Sequence, residues 1–148
     1  MNGLRVEGCA LCDAAGGRLV WAGAKLRVIH AEEAGFPGFY RVVWSDHAPE
    51  FSDLAPADRA WCMDAVAVVE QCLRTHLRPT KINLAALGNM VPHLHWHVIA
   101  RFEWDSRFPA PVWAPAQREV DAGLLAGVAS CLSAAESAMM AALAARSF

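Results

Sequence analysis

The chain is expected to fold as an α+β protein, with an antiparallel five-stranded sheet and two main helices. Two observations carry this expectation. Apolar residues alternate in five short runs and recur at helical spacing in two longer ones, in the order β-β-β-α-β-β-α. Short turns join most of the strands, and only one long crossover separates the third from the fourth, which excludes repeated βαβ units.

Each element has its own signal. Residues 1–8 read as an arm, and Cys9 to Gly17 as a loop closed by Gly16-Gly17. Leu19-Val20-Trp21 and Leu26-Arg27-Val28-Ile29 are strands around Gly23, and Gly35, Pro37 and Gly38 mark a turn. Phe39 to Trp44 is rich in β-formers, and Ser45 to Glu50 is a loop carrying His47. Pro56 suits a first helical position and Asp58 the positive end of the helix dipole. The helix stripe runs through Trp61, Ala65, Val68, Val69, Cys72 and Leu73, and Pro79 ends it. Lys81 to Leu87 is the fourth strand, Gly88-Asn89 turns the chain, and Val91 to Phe102 is the fifth. Pro109, Pro111 and Pro115 hold an irregular segment, and Gln117 to Arg146 reads as one final helix.

At 148 residues the expectation is one domain, 1–148, with a core at about 9–105 and a C-terminal helix at about 117–146. A composition 55% hydrophobic and 19% charged excludes intrinsic disorder. A net charge of −2 argues against a nucleic-acid partner, which would want a basic surface. The five cysteines are odd in number and follow no secretory signal, so a reducing cytoplasm is expected. Ala122 to Ala145 carries one charge, Glu136, but its serines and many alanines fit a packed soluble helix better than a membrane span.

The chemistry concentrates in His93-Leu94-His95-Trp96-His97. On a strand, alternation would place all three histidines on one face, with Leu94, Trp96 and Val98 in a core behind them. Such a face suits a metal site or nucleophilic catalysis on phosphorus, because a neutral imidazole serves both. Spacing alone does not choose. Cys9 and Cys12 form a C-x-x-C, which fits half of a tetrahedral zinc site, a redox dithiol, or two unligated thiols. His30 and His76 read as incidental.

His-x-His-x-His followed by two apolar residues, preceded by Gly88-Asn89-Met90-Val91-Pro92, resembles the histidine-triad (HIT) family. The C-x-x-C, His47 before Phe51-Ser52-Asp53-Leu54, and Asn83 ten residues before the triad arrive in the family's order, over roughly residues 9–105. The turn Phe36-Pro37-Gly38-Phe39 suggests a bacterial branch often labelled diadenosine polyphosphate hydrolases. The resemblance implies cleavage at the α-phosphate of a purine nucleotide, adenosine first, through a nucleotidyl-histidine that water then releases. His95 would be the nucleophile. His97 would contact the scissile phosphate and, as an imidazolium, protonate a poor leaving group. His93 would orient the site or bind zinc, completing a structural Zn²⁺ site with Cys9, Cys12 and His47. No catalytic cofactor is implied. Asn83 and Asn89 would bind the nucleotide, Asn89 standing where relatives commonly carry Gln. The ribose carboxylate position matches Ala31, with Glu32 or Glu33 serving if the loop shifts. A homodimer is implied, and Trp61 is expected at its interface. The alternative is a nucleotide-binding or zinc-stabilised interaction protein with little turnover.

Overall fold

A computed structural model describes residues 3–146. It has a five-stranded, fully antiparallel sheet with strand order β1-β2-β3-β5-β4, built from β1 (Arg18–Ala22), β2 (Leu26–His30), β3 (Phe39–Trp44), β4 (Lys81–Ala85) and β5 (His95–Arg101). The α+β expectation is therefore met. Two strands are shorter than their apolar runs. β4 stops at Ala85 and β5 starts at His95, so residues 86–94 form a loop.

Helix α2 (Pro56–Leu77) starts with proline in its first turn and closes at Arg78, which takes a left-handed φ of 51° immediately before Pro79. Its apolar stripe packs on the sheet face formed by Tyr40, Val42, Trp44, Val98 and Ala100. Trp61 is only 6% exposed and belongs to this core. Its side chain, expected at a dimer interface, is thus largely covered by the chain's own packing.

Two short helices were not foreseen as separate elements. The presumed loop after Cys9 contains one helical turn, α1 (Ala10–Asp13), closed by Asp13 N–H donating to the Cys9 carbonyl at 3.0 Å. The C-terminal helix is two pieces, α3 (Ala122–Ala129) and α4 (Leu132–Ala144). It begins five residues later than expected, because the Asp121 carboxylate caps it by accepting from Gly123 N–H at 2.6 Å. It breaks at Ser130 and Cys131, where the Ser130 hydroxyl donates to the Gly127 carbonyl and Cys131 N–H bonds only three residues back.

By length and composition the stretch Ala122–Ala144 could cross a membrane. Its second half instead docks on the protein. Ala135, Met139 and Leu143 are fully buried in the core shared with α2. Glu136 is held by the Tyr40 hydroxyl at 2.8 Å and by a two-point Arg18 pair at 2.7 and 3.1 Å. Burial alone would push the Glu136 carboxyl up, but these bonds outweigh it and hold the group below its usual range.

The segment after β5 is pinned by Arg101, 1% exposed. Its guanidinium donates to both oxygens of Asp105 (2.8 and 3.1 Å), to the Asn83 side-chain carbonyl (2.9 Å) and to the Ala110 carbonyl (2.7 Å). Asp105 also accepts the backbone N–H of Phe102, Arg107 and Phe108. Removing one partner of such a buried pair leaves a charge unsatisfied. Asp105→Ala should therefore lower unfolding stability by about 3–5 kcal/mol. Urea unfolding measures it, and a loss under about 1 kcal/mol would show that the pair does not hold this segment.

Candidate functional site

Alternation along β5 puts His95, His97, Ile99 and Arg101 on the sheet face opposite α2. The register sets their neighbours: Val43 beside His95, Arg41 beside His97, and Phe39 and Asn83 flanking Ile99. His93 precedes the strand proper, although Trp44 N–H still donates to the Leu94 carbonyl at 3.1 Å and Leu94 keeps to the α2 side with Val98. Pro92 offers no N–H for a ladder, and His93 N–H turns back to the Val91 carbonyl at 2.8 Å. The ring is fully buried.

There it meets the other groups singled out with it. Its Nε2–H donates to the Trp44 carbonyl at 2.6 Å, which leaves the Nδ1 lone pair facing outward. Nδ1 lies 3.5 Å from Cys9 Sγ and 3.4 Å from Cys12 Sγ, and Cys12 Sγ is 3.5 Å from His47 Nδ1. The α1 turn brings the two sulfurs together. All four ligand atoms fall within 4.8 Å of one another. Bonds of about 2.3 Å to sulfur and 2.0–2.1 Å to nitrogen would put tetrahedral S and N neighbours about 3.5 Å apart. Cys9, Cys12, His47 and His93 thus fit a metal ion. Burial, more than the nearby cationic groups, holds the His93 imidazole below its ordinary pKa, the form a ligand needs.

The tautomers of the other two histidines follow from their partners. His95 Nδ1 is 2.7 Å from the His93 carbonyl. A carbonyl only accepts, so Nδ1 carries the proton and Nε2 keeps a free lone pair. His97 Nδ1 is 3.3 Å from Arg41 Nε. An arginine N–H only donates, so Nδ1 accepts and Nε2 carries the proton. Burial, then His95 and Arg41 nearby, push His97 down to about 4. The neutral form, with Nε2–H as a hydrogen-bond donor, is favoured over the imidazolium. The two rings meet edge to face with centroids 5.0 Å apart.

A cavity of about 540 Å³ opens over these rings. Arg41, His95 and His97 line it, with Leu11 and Gly16 of the N-terminal segment, Asn89 and Met90 of the 86–94 loop, and Trp113. Asn89 is exposed on that loop, whose turn is made by Gly88 at φ +74°. Asn83 lies on the same sheet face, but its side-chain carbonyl is engaged by Arg101. Glu32 is placed elsewhere. Its carboxylate lies 3.8 Å from Arg18, beside the Glu136 and Tyr40 cluster behind the sheet. Ala31, at the matched ribose position, packs on Phe36, Phe39, Ile99 and Val112.

Sequence reasoning missed Arg41 and Trp113. Arg41 had a visible signal, a lone charge inside the run Phe39 to Trp44. Trp113 had none, because it reaches His97 (centroids 5.2 Å apart) from an irregular proline-rich segment.

Comparison with known proteins agrees with this architecture. The HIT domain model matches residues 17–104. A histidine triad protein from Bradyrhizobium japonicum is 27% identical, with a TM-score of 0.69, over 90% of this chain and 98% of that one. A histidine triad protein from Sinorhizobium meliloti is also 27% identical, with a TM-score of 0.64, over 80% and 90% of the two chains. One from Marinobacter aquaeolei shares the fold at 23% identity, with a TM-score of 0.66, over 84% and 92%. No curated protein matches. These relatives are bacterial, in keeping with the branch that the motif resembles. Because the matched span takes in all five strands with His95 and His97, and exceeds half of the chain, the protein belongs to the HIT domain family, whose members are in general nucleotide-binding hydrolases and transferases.

Proposed function

We propose that the protein transfers a nucleotidyl group from a purine nucleotide to water, through His95. The observation that carries this reading is the 2.7 Å bond from His95 Nδ1–H to the His93 carbonyl. It leaves a nucleophilic nitrogen at the cavity floor without any need for a base. Nε2 attacks the α-phosphorus, the bond to the leaving group breaks, and its electron pair departs with that group. His97 Nε2–H donates to a phosphate oxygen as charge builds there. Water then attacks the nucleotidyl-histidine, the P–N bond breaks, and the nucleoside monophosphate leaves. Asn89, on the cavity wall, and the free amide of Asn83 are proposed as nucleotide contacts. The protein is read as one cytoplasmic domain.

Quenching a reaction early and digesting the protein should place the nucleotidyl group on the His95 peptide. His95→Ala should lower turnover by about 10³-fold or more. An adduct on His93 or His97 would reverse the assignment. Nucleotide binding without any adduct or turnover would favour a binding protein.

Zinc is the proposed occupant of the Cys9, Cys12, His47 and His93 cluster, since two thiolates and two imidazoles suit its tetrahedral preference. When bound it supplies a structural cross-link between the N-terminal segment and the loop before β5. Protein made without chelator should contain about one zinc per chain, and the Cys9→Ser, Cys12→Ser double variant should lose it and melt at lower temperature. Elemental analysis with thermal melts checks both, and zinc retained by the double variant would refute the ligand set.

A homodimer is proposed through the edge strand β4, where Leu84 is 43% exposed. Unpaired edges carrying apolar side chains invite pairing with a second copy. Light scattering at micromolar concentration should give twice the chain mass, reduced toward the monomer by Leu84→Lys. A stable wild-type monomer would sink the proposal.

A further inference from the structure

Arg41 is the only charged residue in β3, and the register sets it directly beside His97. The other buried or half-buried arginines near this face have their guanidinium groups engaged. Arg27 donates to the carbonyls of Leu11, Ala14 and Ala15, and Arg101 to Asp105, Asn83 and Ala110. Arg41 differs. Only its Nε–H makes a hydrogen bond among the described residues, to His97 Nδ1 at 3.3 Å. No carboxylate among them forms an ion pair with it, and Glu33 acts on it only from farther away. Its guanidinium carbon lies 5.3 Å from the centroid of the Phe39 ring, so the fork is held in place from behind. Four N–H donors and a full positive charge therefore remain uncommitted in a half-buried side chain that lines the catalytic cavity.

The bond to His97 adds a second constraint. Because Nδ1 accepts from Arg41, the neutral His97 ring has one proton, on Nε2. Giving that proton away entirely would leave an imidazolate, which is far too costly. A leaving group at His97 must then depart with the electron pair of its bond to phosphorus and take no proton from this ring. An amine cannot do so, whereas a phosphate or another stable oxyanion can. The arginine fork then meets the charge that appears on the leaving oxygen, and its planar donors match such an anion.

We propose that Arg41 determines leaving-group specificity, selecting groups that leave as oxyanions over groups that leave as amines. The inference rests on His95-mediated nucleotidyl transfer and deepens it. Trp113, edge-on to His97 and 53% exposed, walls the same subsite.

The test compares wild type, Arg41→Gln and Arg41→Lys on two substrates with the same nucleotidyl group: a dinucleoside polyphosphate and a nucleoside phosphoramidate of a simple alkylamine. Losing charge stabilisation of the leaving oxygen should cut kcat/KM for the polyphosphate by about 10²–10³-fold in Arg41→Gln. The phosphoramidate should lose less than about 5-fold, since it makes little use of the fork. Arg41→Lys should recover part of the polyphosphate rate, because it keeps the charge without the fork. Equal losses on both substrates would overturn the proposal and make Arg41 a merely structural residue. If wild type turns over neither substrate, nucleotidyl transfer itself fails, and the anion site is judged alone. Calorimetric titration of inorganic tripolyphosphate should then show at least about 10-fold weaker binding in Arg41→Gln and intermediate binding in Arg41→Lys. Equal affinity, or no binding by wild type, would overturn the anion site as well.

Discussion

The peptide at His93 sets the geometry of the whole site. Its ring and its carbonyl point into different chemistry. The ring is buried, anchored through Nε2–H to the Trp44 carbonyl, and presents Nδ1 to two thiols. The carbonyl accepts the Nδ1–H of His95 and so decides which nitrogen of that ring is free. One residue thus ties the N-terminal segment, the end of β3 and the start of β5 to a common point.

The two faces of the sheet divide the work. The face toward α2 and α4 carries the core, and Glu136 with Tyr40 and Arg18 tethers the C-terminal helix to it. The opposite face is covered by the single helical turn α1, whose Leu11 packs on Ile29 and Val43, by residues 86–94, and by the proline-rich segment held by Arg101 and Asp105. A rigid sheet backed by helices with a loop-walled cavity in front lets fixed imidazoles meet a variable substrate.

Electrostatics on that face is asymmetric. His95 is bonded to a neutral carbonyl, while His97 is bonded to a guanidinium and lies deeper. The same residue type therefore takes two different hydrogen-bonding roles on one face. The ring with a free lone pair suits attack on phosphorus. The ring whose lone pair is already engaged, and whose cationic form is disfavoured, suits hydrogen-bond donation.

The sheet, its antiparallel order and the long helix were legible in the sequence because they arise from local periodicity and turn residues. The pairing of His95 with His97 was legible for the same reason, since alternation is a property of the strand itself. The resemblance also named Cys9, Cys12, His47 and His93 as a set, and these side chains do converge. What the tertiary structure alone decided depends on pairings between distant segments. His93 meets Cys9, Cys12 and the Trp44 carbonyl because distant segments pack around the start of β5. Trp61 is core because α4 and the sheet close over α2. Glu32 comes within 3.8 Å of Arg18, a neighbour supplied by the pairing of β1 with β2. The protonation pattern of His97 is set by Arg41, 56 residues away in the chain. Periodicity reports which side of an element a residue takes, and the partner it finds there depends on how the elements pair.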